Sequence, residues 1–176
     1  YMLENNSLAK NTVVGTTMSN LALEELITQN GGKFIRTDVG DRYIIEEMTR
    51  NDYNFGGEKS GHLVFGDCST TGDGTLAALK ILEIMVSQNK SLHELASTYK
   101  PYPQLLKNVK VTEKKSLDQM PEFKKLLEEK ESSMDGRIVF RYSGTEKLAR
   151  IMIEGKDQAE IRDVAEQLAD ELKTHV

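Results

Sequence analysis

The chain has 176 residues, enough for one large domain or two small ones with a buried core, and its 38% hydrophobic and 29% charged residues exclude a disordered polymer. A formal net charge of -5 and a pI near 5.3 exclude a broad nucleic-acid or anionic-membrane surface, although a local basic site can still hold a small anion. The single cysteine, Cys68, excludes an internal disulfide and a zinc framework, and no apolar run approaches the ~18 residues of a membrane span, so a cytoplasmic protein is expected.

Tyr1 to about Leu8 reads as the end of a helix, which suggests a piece of a longer polypeptide. The β-branched run from Asn11 to Thr16 reads as a strand, Ser19-Asn20 as a cap, and Leu21, Leu23, Leu26 and Ile27 as one face of a helix that Asn30-Gly31-Gly32 ends. Lys33 to Thr37 follows as a strand, and Gly40-Asp41-Arg42 opens a helix through Ile44, Ile45 and Met48. Gly61 to Phe65 reads as a strand or hairpin, and Thr70 to Gly74 as the cap of a long helix carrying Leu76, Leu79, Ile81, Leu82 and Met85. This alternation predicts a partial mixed α/β layer with parallel strands over residues 1–100.

Two of the three prolines fall in Lys100-Pro101-Tyr102-Pro103, which places a linker at 101–107. Beyond it, Asn108 to Thr112 alternates as a strand, and Met120 to Glu131 reads as a charged helix with Pro121 in its first turn. Arg137 to Arg141 and Leu148 to Glu154 read as strands. Asp157 caps a helix to about Lys173 with Ile161, Val164, Ala165, Leu168 and Leu172 on one stripe. Residues 108–176 are thus expected to form a small β-α-β-β-α domain of the α+β class.

Three constellations carry candidate chemistry. Arg141-Tyr142-Ser143-Gly144-Thr145-Glu146, with Arg150 soon after, joins two guanidinium forks, two hydroxyls and a glycine between two strands, which are the parts that phosphate recognition calls for. The same residues also suit a plain surface hairpin. In Gly56 to His62, an extended backbone would turn Glu58, Ser60 and His62 to one side, where carboxylate, hydroxyl and imidazole suit a polyhydroxylated ligand; solvated polar groups at the start of a glycine-rich strand are the other reading. The Arg36 to Arg42 segment ends a strand in an α/β pattern, so Gly40, Asp41 and Arg42 could face a ligand, or Asp41 could simply cap a helix. Thr70 to Gly74 is explained by helix capping, the run Lys124 to Glu131 by a solvated face, and His93, His175 and Cys68 receive no role.

Together, Val14 to Asn20, Val39-Gly40-Asp41-Arg42-Tyr43, Gly56 to His62, Thr71-Gly72-Asp73-Gly74 and Arg141 to Glu146 resemble the α-D-phosphohexomutase family, most closely its phosphoglucosamine mutase branch. The resemblance covers nearly the whole chain in the family's order and implies most of the third and all of the fourth of four domains. It implies that Glu58 and Ser60, with His62 nearby, grip sugar hydroxyls. It further implies that Arg141, Ser143, Gly144, Thr145 and Arg150 grip the non-reacting phosphate, and that Gly40, Asp41 and Arg42 wall the site. Tyr142 and Lys147 depart from the branch, which commonly has proline or alanine and proline there. The implied reaction needs a phosphoserine in the first domain and Mg2+ on an Asp-x-Asp-x-Asp-Arg loop early in the third. Neither motif occurs in this sequence, so no catalytic residue and no bound metal are assigned to it. The expected partners are a small sugar phosphate and the N-terminal domains of the same polypeptide, with neither nucleic acid nor membrane; a homodimer is compatible with the reading.

Overall fold

A computed structural model describes all 176 residues, Tyr1–Val176. The backbone divides into two compact units, Tyr1–Pro101 and Tyr102–Val176.

The first unit begins with one helical turn. Asn5 N–H bonds Tyr1 O at 3.0 Å, and the turn closes where Ser7 N–H reaches Met2 O and Asn6 sits at φ 53°, the left-handed arrangement that satisfies last-turn carbonyls. Strand β1 (Thr12–Thr16) is wholly buried and runs parallel to β2 (Lys33–Thr37) on one side and β3 (Phe55–Gly57) on the other. β4 (Leu63–Phe65) adds antiparallel to β3, so the four-stranded order is β2-β1-β3-β4 and the sheet is mixed, as expected, with its last strand antiparallel. The cause is local: only Glu58 to His62 separates β3 from β4, too few residues for the crossover that a parallel return requires.

Helix α1 (Leu21–Gln29) starts at Asn20, whose side chain accepts from Ala22 N–H. Helix α2 (Asp41–Asn51) places Ile44 and Met48, four residues apart, against Val14 and Val64 of the sheet. Gly56 allows that approach, because a Cβ there would lie 2.6 Å from Ile44 Cγ2 and 2.8 Å from Met48 Sδ. Helix α3 (Gly74–Gln88) is capped by Asp73, which accepts from Thr75 and Leu76 N–H; it contains no buried residue and exposes Leu79, Leu82 and Val86. A short helix, α4 (Leu92–Ala96), follows on a Ser91/Glu94 capping box that the sequence reading passed over.

In the second unit the expected linker is corrected. Strand β5 occupies Gln104–Lys110, so four of the seven residues assigned to the linker are paired, from Gln104↔Glu154 onward. Leu105 and Leu106 are adjacent, which hid the alternation: Leu105 packs on the core and Leu106 is exposed. Helix α5 (Pro121–Ser133), β6 (Gly136–Tyr142), β7 (Leu148–Gly155) and α6 (Gln158–His175) complete a three-stranded antiparallel sheet of order β5-β7-β6. Ala149, Ile151 and Ile153 of central β7 share one core with Phe123 of α5 and Ile161, Leu168 and Leu172 of α6. Each fully buried leucine contributes about 1.5–3 kcal/mol. No helix is long and apolar enough to cross a membrane.

Candidate functional site

The strand order reverses beside β1: the chain steps from β1 to β2 on one side and returns through α2 to β3 on the other. In open α/β sheets this switch point opens at the C-terminal ends of the parallel strands. Three segments leave from that edge: 17–20 after β1, 38–40 after β2, leading into Asp41 and Arg42 at the start of α2, and 58–62 after β3.

The 58–62 segment is a tight hairpin. Glu58 N–H donates to His62 O at 3.0 Å and Gly61 N–H to Glu58 O at 3.0 Å, with Gly61 at φ 98°, a conformation that glycine adopts without steric cost. Of the strand and hairpin readings of Gly61 to Phe65 the hairpin holds, and its turn, not the alternation of an extended backbone, brings the three side chains together. His62 Nδ1 lies 3.0 Å from Glu58 Oε1 and 2.8 Å from Ser60 Oγ. Nδ1 is thus the ring atom engaged by both neighbours. The Glu58 side chain is 12% exposed and that of His62 54% exposed, so the carboxylate sits beneath an accessible ring.

Gly40 precedes α2 at φ 137° and Asp41 is the first helical residue, its carboxylate accepting from Arg42 N–H at 2.8 Å. Arg42 lies in solvent and bonds Glu46 Oε1 at 2.7 Å; that hydrogen bond, then the charge of Glu46, raises its pKa. No hydrogen bond or ion pair joins Asp41 or Arg42 to Glu58, Ser60 or His62. Arg36 braces the 16–20 turn instead: Nη1 donates to Thr16 O and Ser19 O at 3.1 and 2.7 Å while Nη2 meets Glu24 Oε2 at 2.6 Å.

In the second unit Arg141 on β6 stands directly opposite Arg150 on β7. Opposed residues of antiparallel strands project from the same face with Cβ atoms about 5 Å apart, so the two arginine side chains leave the sheet side by side. The Nε atom of each is buried and has no hydrogen-bond partner. The loop between the strands exposes Gly144 and Thr145, and open space lies where a Gly144 Cβ would be. Ser143 is turned inward at 3% exposure, its Oγ accepting from Glu146 N–H at 3.3 Å. Glu146 Oε2 meets Arg150 Nη2 at 2.8 Å.

Sequence reasoning missed Lys114, whose Nζ donates to Ser143 O at 2.6 Å and holds the loop carbonyl from behind. Twenty-nine residues separate the two, so only the fold reveals the contact. Burial raises the pKa of the neighbouring Tyr142 phenol, whose hydroxyl is also buried without a hydrogen-bond partner.

A cavity of about 520 Å³ in the first unit is lined by Leu3, Leu8, Ile27, Phe55, Ile81 and other mainly apolar residues, and contains none of the expected site residues. No group of three or more His, Cys, Asp or Glu side chains is placed to hold a metal ion.

Residues 1–102 match the model of phosphoglucomutase/phosphomannomutase α/β/α domain III, and 106–171 that of the C-terminal domain of the same enzymes. The phosphoglucosamine mutase of Geobacter metallireducens is 50% identical over 171 residues, covering 96% of this chain and 38% of that protein. That of Anaeromyxobacter sp. (strain Fw109-5) is 48% identical over 174 residues, covering 98% and 37%. The chain thus spans less than two fifths of these curated relatives. Among solved structures, the N-acetylphosphoglucosamine mutase of Aspergillus fumigatus shares the fold with a TM-score of 0.81 at 21% identity, over 97% of this chain and 39% of that one. The phosphoglucomutase parafusin of Paramecium does so at 0.73 and 17%, over 97% and 39%. With both domain models matched in order, the chain belongs to the phosphoglucomutase/phosphomannomutase family.

Proposed function

We propose that this chain is the substrate-gripping part of a phosphoglucosamine mutase, holding the non-reacting phosphate of a hexose phosphate through Arg141 and Arg150. The observation that carries the proposal is the opposed arginine pair with two buried, unpartnered Nε–H donors. Two like charges placed side by side repel, and unmet donors cost free energy; a phosphate dianion relieves both at once. Gly144 and Thr145 would add a backbone approach and a hydroxyl from the exposed loop, and Ser143 would support it from inside. In the first unit, Glu58 and Ser60 suit sugar hydroxyls, with the accessible His62 ring nearby. Gly40, Asp41 and Arg42 leave the same sheet edge as a wall.

The relatives' name supports glucosamine 6-phosphate and glucosamine 1-phosphate as the substrate pair of the whole protein. In that reaction an enzyme phosphoserine gives its phosphoryl group to the free sugar oxygen, forming a bisphosphate. The bisphosphate then turns end for end, and its other phosphoryl group returns to the serine. The paired, near-symmetric arginine fork suits a ligand that presents either phosphate. One related fungal structure is described in complex with GlcNAc-6P and magnesium. No Mg2+ site is proposed on this chain, and every role proposed for its side chains is binding. A cytoplasmic setting remains the expectation from the single cysteine.

Titration calorimetry of the 176-residue chain with glucosamine 6-phosphate tests the grip. Weak binding that Arg141→Ala reduces about tenfold or more is expected, from the loss of charge-assisted hydrogen bonds; equal binding by both proteins removes the assignment. Because the matched family model also describes glucose and mannose enzymes, competition by their 6-phosphates measures which sugar is preferred.

A further inference from the structure

We infer that the Glu146 carboxylate is a built-in occupant of the anion position, which an incoming phosphate displaces from Arg150. The inference rests on the phosphate-grip reading above. Glu146 Oε2 lies 2.8 Å from Arg150 Nη2 and 3.5 Å from Ser143 Oγ. The bond from Glu146 N–H to Ser143 Oγ folds the loop back and hangs the carboxylate over the β7 arginine. It thus takes from the site one guanidinium and one hydroxyl, the donor types that a phosphate uses.

As a substitute it is incomplete. A carboxylate brings a single charge, whereas a phosphate monoester brings close to two and a third oxygen. Glu146 reaches Arg150 and leaves Arg141 Nε unpartnered, so a bridging phosphate gains contacts that the carboxylate cannot make. The Glu146 side chain is already 54% exposed, so its release into water is not a large desolvation change. Glu146 accordingly does two things. It tempers the arginine repulsion in the free chain, and it sets a threshold that a dianionic phosphate clears and a singly charged ligand does not.

Glutamine keeps the shape and the backbone bond while removing the charge. Glu146→Gln is expected to bind glucosamine 6-phosphate about two- to fivefold tighter than the unaltered chain, the range of a part-exposed ion pair. In an Arg150→Ala background the same substitution is expected to give no gain. Equal or weaker binding by Glu146→Gln overturns the inference, and so does a gain that persists undiminished without Arg150, which would mean repulsion at a distance and not displacement. Arg141→Ala separates this from the parent reading: if it loses binding while Glu146→Gln gains nothing, the grip stands and the internal occupant falls. If Arg141→Ala binds like the unaltered chain, both fall.

Discussion

Opposing Arg141 and Arg150 across two strands disfavours the fold, because like charges at a cross-strand pair repel. A site that exists for binding and not for stability should respond in opposite directions to one substitution. Arg141→Met is therefore expected to leave stability unchanged or raise it by a few tenths to about 1 kcal/mol in urea denaturation, while removing phosphate binding. A large loss of stability would assign the arginine to the fold. Tyr142, between Arg141 and the loop, supplies a pH dependence. Burial keeps its phenol protonated in the folded chain beyond the ordinary value of 10.0, so the unfolded chain loses its proton first and stability falls as the pH rises past that value. Tyr142→Phe is expected to lessen that alkaline fall, as read from urea midpoints on either side of pH 10.0.

At the scale of elements, legibility followed periodicity. The stripe Ile161, Val164, Ala165, Leu168 and Leu172 was read from the sequence, and all five are buried in α6. Leu168→Ala is expected to cost about 2–5 kcal/mol, since it empties a fully buried position. Elements without a clean period were blurred. The adjacent Leu105 and Leu106 concealed the start of β5, and around Glu58 the sequence left strand and hairpin open where the chain forms a five-residue hairpin turn. The sequence named Glu58, Ser60 and His62 as one cluster but not the turn that makes it, because closure depends on backbone bonds and on Gly61 at φ 98°. Gly56→Ala tests the packing of α2: a Cβ only 2.6 Å from Ile44 Cγ2 should cost about 1–3 kcal/mol by overpacking, measured by thermal denaturation.

Over the whole molecule the two units are unequally supported. Fifteen buried residues form the core cluster of the second unit, against four in the first, and α3 buries none of its own. Hydrogen exchange is therefore expected to be slowest in β7 and fast along α3; slow exchange in α3 would contradict this account of where the stability resides. The proposed phosphate grip lies in the better supported unit, on β6, β7 and the loop between them, as a binding site needs if its donors are to be held in place before the ligand arrives. Its membership was readable from one short run of sequence. The opposition of Arg141 to Arg150, the inward turn of Ser143 and the support from Lys114 were not, since strand register and a contact across 29 residues set them.

The most direct test follows the unpartnered Nε–H groups themselves. Proton–nitrogen correlation spectra of the chain resolve arginine Nε–H signals, and those of Arg141 and Arg150 can be assigned by single substitution. Titration with inorganic phosphate is expected to shift both signals together with the amides of Gly144 and Thr145. If phosphate leaves those four signals unmoved while shifting others, the anion binds elsewhere and the central claim is contradicted.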